Sequence, residues 1–297
     1  IYGTSPVIQV LPVIFLAKIL KIKIILWVQD LWPDALMATG HINNKFILKI
    51  VNLVTFFCYK NVDKIITQSA GFRKLIKQRY SLSNDISILY NFVNVASGIN
   101  KVNELYKSFP FLNSGKSKIF LYAGNIGKAQ NIINLCKAFK KSSNIKDSIL
   151  VIAGHGSESE KLKQYLNKEH INNIWYIGFI PQNIISFLYQ RVDYLILSLI
   201  DIGLINLTIP NKLQTYLSYG KPIFGVCEGE SKKIIDSSCS GITAKPTSLD
   251  SIQKGFEYLS NLRKNEYKKY SINAATYFRA NFKNDILMKK FEDIVLR

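Results

Sequence analysis

The chain has 297 residues, with 39 Lys and Arg against 20 Asp and Glu, which gives a formal net charge of +19. Hydrophobic residues make up 48% of the sequence and occur throughout it, which excludes a disordered chain and allows one large domain or two ordinary ones. Lysines interrupt the apolar runs before any of them is long enough to span a membrane. We therefore expect a soluble or peripheral protein.

The charge implies an anionic partner, either nucleic acid, an acidic membrane face or a phosphorylated substrate. The lysines are scattered, which argues against a nucleic-acid-binding stripe. The four cysteines have no metal-ligand spacing and are typical of buried thiols in a reducing compartment. They are Cys58, Cys136, Cys227 and Cys239.

Short β-branched runs alternate with amphipathic helical segments from one end of the chain to the other. Strands are predicted at 1–4, 22–30, 64–69, 86–91, 118–124, 148–154, 173–180, 192–199 and 222–227. Helices are predicted at 46–60, 71–79, 131–141, 158–168, 183–191, 210–219 and 264–297. Alternation of helices with near-continuous apolar strands predicts an α/β fold of parallel sheets covered on both faces.

A stretch rich in Ser, Gly, Asn and Lys at 94–118 interrupts this alternation and indicates a domain boundary. We predict a first domain at 1–112, a second at 113–275, and a C-terminal helix at 276–297 that crosses back to the first domain. The chain opens within a strand and without Met, so we expect the N-terminal part of the first domain to be missing.

The segment "LYAGNIGKAQNI" joins a predicted strand to a predicted helix through Gly124, Asn125, Gly127 and Lys128. Glycines allow close approach of a ligand to the backbone, and a helix N-terminus with a nearby lysine suits a diphosphate. A plain βα turn accounts for the same glycines through their conformational freedom, and it is the simpler interpretation of this segment taken alone.

Two further strands end in glycine. "VIAGHGSESEKL" places His155 between two glycines at the end of a strand, and Ser157 with Glu160 predicts a capping box. In "WYIGFIPQNII", Phe179 and Ile180 offer a flat apolar rim for a base, although a helix start with Pro181 in its first turn explains that proline as well.

The segment "TIPNKLQTYLSYG" predicts a helix capped by Thr208 or Ile209, with Pro210 in its first turn and Gly220 at its end. Lys212 lies in the first turn, where a cation is unfavourable beside the positive end of the helix dipole. An anion bound nearby would remove this conflict, and the segment therefore indicates an anion site.

In "LWVQDLWPDAL", Asp30 comes directly after a predicted strand. A carboxylate at this edge of a sheet can serve a hydroxyl-bearing substrate by hydrogen bonding or as a base. A helix cap beside proline is the structural alternative, and the two interpretations stand about even.

Many motifs along the whole chain resemble those of glycosyltransferase family 4 in order and spacing, and the likeness is greatest to bacterial O-antigen and capsule enzymes, notably L-fucosamine transferases. The motifs are "TSP", "VQDLWPDAL", "ITQSA", "ILYNFVN", "YAGNIGKAQN", "VIAGHGSE", "YIGFIP", "VDYLILSL" and "IPNKLQTYLSYGKPI". The resemblance implies two Rossmann-like domains in the GT-B arrangement, the first lacking its glycine-rich loop. It implies retaining, metal-independent sugar transfer without a cofactor.

The resemblance also implies residue roles. Those implied in catalysis are Asp30 on the acceptor side and Lys128 and Lys212 at the diphosphate. Those implied in donor binding are Gly124, Asn125, Gly154, His155, Phe179, Ile180, Leu207, Thr208, Ile209 and Thr215. Leu207 and Thr215 occupy the positions where many members have two glutamates, which leaves ribose recognition open because a hydroxyl binds ribose less strongly than a carboxylate.

The implied donor is a nucleotide-sugar, UDP-linked and carrying an N-acetylated amino- or deoxyamino-sugar, and the implied acceptor is an undecaprenyl-diphosphate-linked glycan. We expect a cytoplasmic protein, peripheral on the anionic inner face of the plasma membrane, with no nucleic-acid partner. Two alternatives remain: a nucleotide-sugar 2-epimerase of the same fold, which needs acids and bases around the sugar, and a non-enzymatic polyanion-binding protein.

Overall fold

The computed structural model describes residues 2–4, 6–39, 44–82, 84–94, 106–113, 118–142, 145, 147–169 and 171–296. The chain divides into two compact units. Unit 1 comprises Ile1–Phe92, Ile202–Ile209 and Asn284–Arg297, and unit 2 comprises Val93–Asp201 and Pro210–Lys283. This division differs from the boundary expected at 112/113, since unit 2 begins at Val93 and a short loop segment after residue 201 belongs to unit 1.

Unit 1 contains a parallel sheet in the order β1-β2-β3-β4. Its strands are β1 (Tyr2–Thr4), β2 (Ile25–Val28), β3 (Lys64–Thr67) and β4 (Asp85–Ile88). Its helices are α1 (Val10–Leu20), α2 (Asp34–Thr39), α3 (Lys45–Lys60), α4 (Ala70–Tyr80) and, from the end of the chain, α12 (Asn284–Leu296).

The strands of unit 1 bury both faces, as the near-continuous apolar runs predict. Leu26 and Ile65 pack into a core that also contains buried residues of α1, α3 and α4. Their neighbours Ile25 and Ile66 point to the opposite face and pack with Leu287 of α12. The C-terminal helix thus covers one face of this sheet.

Unit 2 contains a larger parallel sheet. Its strands are β5 (Lys118–Ala123), β6 (Ser148–Ala153), β7 (Ile174–Gly178), β8 (Tyr194–Ser198), β9 (Ile223–Val226) and β10 (Gly241–Ala244). Its helices are α5 (Ile132–Lys141), α6 (Ser159–Lys168), α7 (Gln182–Arg191), α8 (Asn211–Ser218), α9 (Gly229–Ser238), α10 (Leu249–Ser260) and α11 (Lys264–Asn281).

The strand order in unit 2 is β10-β9-β8-β5-β6-β7. The chain proceeds from β5 towards one edge of the sheet, returns to the middle, and proceeds from β8 towards the other edge. The order therefore reverses between β5 and β8, which pair through Phe120 with Tyr194 and Leu121 with Leu195. In open α/β sheets a crevice forms at the carboxyl ends of the strands at such a reversal, and ligands bind there.

The core of unit 2 is centred on aromatic side chains beneath the sheet. The ring of Phe256 in α10 meets those of Phe120, Phe139 and Phe224 edge-on, at centroid distances of 5.2, 4.9 and 4.9 Å. All four side chains are fully buried. Edge-to-face contacts add to the hydrophobic gain and fix the position of α10 on the sheet.

Several elements depart from the sequence-based expectations, and helices α2, α9 and α10 lie outside the predicted set. Strand β10 is absent from the predicted set because "GITA" has no long β-branched run, and Gly241 fits there because a Cβ would lie 1.9 Å from the carbonyl oxygen of Ile223. The predicted helix 264–297 is two helices, α11 in unit 2 and α12 in unit 1.

The predicted capping box of Ser157 with Glu160 is wrong. Helix α6 begins at Ser159, and Glu158 precedes it with no side-chain cap. Ser159 is the residue that stabilises the turn, because its hydroxyl accepts a hydrogen bond of 2.8 Å from the backbone N–H of Gly156.

Replacing Phe256 with Ala is expected to lower the free energy of unfolding by about 3–5 kcal/mol, because the change leaves a cavity among three packed rings. Tyr258→Ala on the same helix is the matched control, since that side chain is 44% exposed. Urea unfolding of both variants measures the difference. Equal losses in the two variants would contradict the assignment of Phe256 to the centre of this core.

Candidate functional site

An open pocket of about 460 Å³ lies in unit 2 at the carboxyl ends of β5, β6 and β7. Its size is within the usual range for small-molecule sites. The lining residues are Ala123, Gly124, Asn125, Ala153, Gly154, His155, Phe179, Ile180, Gln182, Ile185 and Tyr189. Six of the predicted donor-binding positions are therefore brought together: Gly124, Asn125, Gly154, His155, Phe179 and Ile180.

Two glycines form the floor of this pocket because the backbones after β5 and β6 approach too closely for side chains. Gly124 and Gly154 have φ angles of +144° and +140°, which other residues rarely adopt. A Cβ on Gly154 would lie 1.8 Å from the carbonyl oxygen of Gly124. The backbone N–H of Gly154 also donates a 2.7 Å hydrogen bond to the carbonyl of Gly178. The Gly124 N–H likewise donates a 2.9 Å hydrogen bond to the carbonyl of Ala153. These two bonds extend the sheet pairing beyond the strands and tie the loops together.

Tyrosine hydroxyls hold the same backbone from below. Tyr122 donates to the carbonyl of Asn125 at 2.5 Å, and Tyr176 donates to that of Gly154 at 3.1 Å. The hydroxyl of Tyr216 accepts from the N–H of Ala123 at 3.2 Å and lies 3.3 Å from its carbonyl oxygen. Buried hydroxyls that satisfy backbone groups in this way restrict the loops to one arrangement.

The loop after β5 is organised by a residue that sequence reasoning missed. The side-chain oxygen of Gln130 accepts hydrogen bonds from the Gly127 N–H and from the amide of Asn125, at 3.1 and 3.2 Å. Its own carbonyl accepts a 2.6 Å bond from the Ser198 hydroxyl. Lys128 lies exposed on the 3₁₀ turn between them and does not line the pocket.

Lys212 lies in the first turn of α8 with its ammonium against the pocket floor. Its Nζ is 4.0 Å from the centroid of the Tyr122 ring, and a Cβ on Gly124 would lie 2.4 Å from it. Within the part of the chain that the structure describes, no carboxylate forms an ion pair with this ammonium. Although the side chain as a whole is only half-buried, burial of its charged end lowers the pKa of Lys212 to about 7.

The upper rim of the pocket is apolar and accessible. The Phe179 side chain is 75% exposed, and the neighbouring Gly178 has φ +70° with open space where a Cβ would stand. An exposed aromatic ring beside a bare stretch of backbone offers a stacking surface. His155 lies exposed at the adjoining loop and lines the pocket as well.

Thr215, on the second turn of α8, does not line the pocket. Its hydroxyl donates a 3.0 Å hydrogen bond to the carbonyl of Asn211 one turn earlier in its own helix. The expected caps of this helix are not used either. Its N-cap is Pro210, which has no side-chain hydrogen bond, so the prediction that Thr208 or Ile209 caps the helix is wrong.

The remaining predicted residues belong to unit 1. Asp30 is exposed just after β2, whereas nearby Asp34 forms an ion pair with Arg79 and therefore has a structural role. The carbonyl of Leu207 accepts a 2.5 Å hydrogen bond from Ser69. The hydroxyl of Thr208 donates to the Ile205 carbonyl at 2.8 Å, and Ile209 is buried.

Helix α7 supplies pocket residues that the sequence did not single out, namely Gln182, Ile185 and Tyr189. The ring of Tyr189 packs against those of Tyr216 and Tyr219, at centroid distances of 5.4 and 5.1 Å. In the sequence these residues have the spacing of an ordinary buried helix face, which is why they carried no functional signal.

No helix among the described residues is both long enough and apolar enough to cross a membrane. No cluster of three or more His, Cys, Asp or Glu side chains there has the geometry to hold a metal ion.

Comparison with known proteins gives a consistent result. The family model described as Glycosyl transferases group 1 matches residues 106–277. The chain is 25% identical over 251 residues to a probable glycosyltransferase, WbjE, of Pseudomonas aeruginosa, covering 82% of this chain and 61% of that protein. It is 25% identical over 233 residues to a putative colanic acid biosynthesis glycosyl transferase, WcaI, of Escherichia coli K12, covering 72% of this chain and 55% of that protein.

Among solved structures, the chain resembles that of Anabaena Alr3699/HepE in complex with UDP, with a TM-score of 0.77 and 12% identity, over 99% of this chain and 77% of that one. The predicted fold class is confirmed, since parallel sheets flanked by helices match the GT-B glycosyltransferases. The chain spans less than two thirds of the length of the curated relatives above.

Replacing Gly154 with Ala is expected to destabilise the protein by at least about 2 kcal/mol, because the backbone must move to separate the new Cβ from the Gly124 carbonyl. Gly203→Ala is the control, since open space surrounds that position. Urea unfolding provides the measurement. A Gly154→Ala variant as stable as the control would contradict the close contact of the two loops.

Replacing Lys212 with Met is expected to raise the free energy of unfolding at pH 6, where the native protein buries an ammonium. Between about pH 7 and 10.5 the unfolded chain holds a proton that the native protein has lost, so wild-type stability increases with pH in that window. The advantage of Lys212→Met should therefore shrink from pH 7 to pH 10.

Unfolding by urea at pH 6, 8 and 10 measures this trend, with Lys137→Met, at an exposed site on α5, as the control. A stability difference that stays constant across this range would show that the ammonium of Lys212 is not desolvated.

Proposed function

The chain belongs to the glycosyl transferases group 1 family, and on this premise we propose that it transfers a sugar from a nucleotide diphosphate to a glycan acceptor. We assign it to family 4 of these enzymes, with a UDP-linked N-acetylated amino- or deoxyamino-sugar as donor. The observation that carries the proposal is the cluster of Gly124, Gly154 and the Lys212 ammonium at the carboxyl edge of the unit 2 sheet.

The diphosphate of the donor is proposed to bind at this cluster. The two glycines expose backbone without side chains, which allows phosphate oxygens to approach closely. Lys212 is a buried cation without a carboxylate partner among the described residues, and an anion would stabilise its charged form. During sugar transfer negative charge grows on the leaving diphosphate, and Lys212 can stabilise that charge.

The base of the nucleotide is proposed to bind at the apolar rim, against Phe179 and Ile180. Support comes from the exposure of the Phe179 ring and the open space at Gly178. His155 and Asn125 lie within reach of a donor that fills this pocket, since both side chains belong to its lining. The solved Anabaena relative was crystallised with UDP, which makes uridine the first nucleotide to test.

Ribose recognition is proposed to use backbone groups in place of a carboxylate. The hydroxyl of Thr215 is already engaged with the Asn211 carbonyl and would have to reorient to reach a ligand. The loop of Leu207, Thr208 and Ile209 is retained as a proposed backbone contact for the diphosphate and the donor sugar, as the family resemblance implies. Lys128 is retained as a second diphosphate ligand, which requires movement of an exposed side chain.

We propose that the transfer is retaining and uses no metal, with Lys212 and backbone N–H groups providing the positive charge. The acceptor is proposed to be a lipid-linked glycan of surface-polysaccharide synthesis, bound on the side of Asp30, at the inner face of the plasma membrane. The relation to a protein named for colanic acid biosynthesis supports the polysaccharide assignment.

The pocket composition favours transfer over epimerisation. A 2-epimerase needs acids and bases around the sugar. Among the described residues, the pocket lining contains no carboxylate, and its titratable groups are His155 and Tyr189, with the Lys212 amine against the floor. Burial raises the pKa of the Tyr189 hydroxyl above its ordinary value. Tyr189 therefore stays protonated at neutral pH and cannot act as a base.

The proposal is tested by calorimetric titration with UDP-, GDP- and dTDP-sugars. Binding of at least one donor is expected, and Lys212→Met should weaken it about 10- to 100-fold because one charge-assisted contact is lost. Wild-type affinity should fall as the pH rises above about 7, where the free ammonium loses its proton, whereas the affinity of Lys212→Met should not follow this trend.

Lys137→Met, which removes an exposed lysine from α5, serves as the control and should bind donor as the wild type does. Failure of the wild-type chain to bind any nucleotide-sugar would refute the donor assignment. Incubation with a matched acceptor, followed by NMR of the product anomer, tests retention of configuration.

A further inference from the structure

The outward side of α3 carries an apolar stripe that the fold of unit 1 does not bury. Phe46, Ile50, Leu53 and Phe57 recur at helical spacing, and each is between 45% and 71% exposed. The opposite side of the helix is buried through Thr55, Cys58 and Tyr59, so the stripe points away from the sheet. Single exposed apolar residues are common, but a continuous stripe along a whole helix marks an interaction surface.

The stripe is not the uncovered edge of an incomplete layer, because α3 has neighbours on both flanks. On one side it packs against α1 and the turn that precedes it, where the thiol of Cys58 lies 3.8 Å from the carbonyl oxygen of Val7. On the other side Tyr80 of α4 stacks on Phe56 at 5.9 Å and donates a 2.8 Å hydrogen bond to Asn52. The exposed stripe therefore faces outward from the middle of the helical layer.

Positive charge borders the stripe and negative charge is absent from its helix. Lys49 lies one turn from Phe46 and from Leu53, and Lys60 lies one turn from Phe57. Both lysines are exposed, and the sequence of α3, Lys45–Lys60, contains no Asp or Glu.

Helix α1 extends this chemistry, and it packs on the same face of the sheet as α3. Phe15, Leu16, Ile19 and Leu20 are each more than half exposed. Three exposed lysines lie near its C-terminal end, Lys18 in the last turn and Lys21 and Lys23 just after it, and the sequence 6–29 contains no acidic residue. Two adjacent helices thus combine exposed apolar side chains with exposed lysines, and neither helix contains a carboxylate.

We propose that the outward side of α3, together with that of α1, docks this protein on an anionic lipid bilayer. Apolar side chains on a surface helix enter the boundary between headgroups and acyl chains, while lysines bind the acidic headgroups. The proposal names the surface through which unit 1 would reach the lipid-linked acceptor. It gives a location to the membrane association proposed above, but vesicle binding requires neither donor nor acceptor.

Charge argues against a second copy of the chain as the occupant. A two-fold symmetric contact would place this surface against itself, and Lys49 and Lys60 would then face the same lysines of the other copy. No carboxylate of α3 is present to pair with them. An anionic bilayer satisfies the apolar and the cationic parts of the surface together.

The test is sedimentation of the full chain with vesicles of phosphatidylglycerol and of phosphatidylcholine. Binding to the anionic vesicles alone is expected, and it should weaken as salt is added. The double variants Leu53→Gln/Phe57→Gln and Lys49→Gln/Lys60→Gln should each reduce that binding about tenfold or more.

Control variants carry changes of the same kind on the other unit. Ile272→Gln removes an exposed apolar residue of α11, and Lys268→Gln/Lys269→Gln removes two exposed lysines. Both controls should bind within about twofold of wild type, since only charge and apolar area at the docking surface contribute. Circular dichroism of each variant establishes that it is folded.

Equal loss of binding in the lysine controls would overturn the proposal, because net charge and not this surface would then cause the attraction. Failure of the wild type to bind anionic vesicles would also overturn it. So would analytical ultracentrifugation that shows a dimer dissolved by Leu53→Gln/Phe57→Gln without any vesicle binding. None of these results depends on nucleotide binding, so the assignment of the donor pocket is tested separately.

Discussion

The contact between the backbones of Gly124 and Gly154 is the constraint on which the pocket of unit 2 depends. The loops after β5 and β6 approach so closely that a Cβ on Gly154 would lie well inside van der Waals contact with the Gly124 carbonyl oxygen. This closeness creates a floor of bare peptide groups, and it requires φ angles that only glycine adopts without strain. Tyr122 and Tyr176 then fix the carbonyls of the same loops, so that the floor is rigid before any ligand arrives.

Placement of a lysine on this floor has an electrostatic cost that the protein alone does not offset. The ring face of Tyr122 attracts the Lys212 ammonium, but a cation–π contact does not replace the water that burial removes. The lowered pKa of Lys212 expresses that imbalance. An anionic ligand would offset this cost by stabilising the charged form of Lys212. The same residue is therefore unfavourable in the unliganded fold and useful in the proposed reaction.

Unit 1 shows how the distribution of charge carries more information than its sum. The net charge of +19 is compatible with many anionic partners. On α3, however, the lysines border a stripe of exposed apolar side chains, whereas on α11 exposed lysines such as Lys268 and Lys269 belong to a polar helix. A partner that is anionic and also accepts apolar side chains suits the first surface and has no advantage at the second.

Local patterns in the sequence predict the α/β class, nine of the ten described strands and the glycine-terminated loops of the pocket, because apolar periodicity and glycine placement are local properties. They also mark Lys212 through its conflict with the helix dipole. The remaining features follow from tertiary contacts. Strand β10 exists because Gly241 fits against β9, and α7 completes the pocket with Tyr189. These features depend on contacts between residues distant in the chain, which no local pattern encodes.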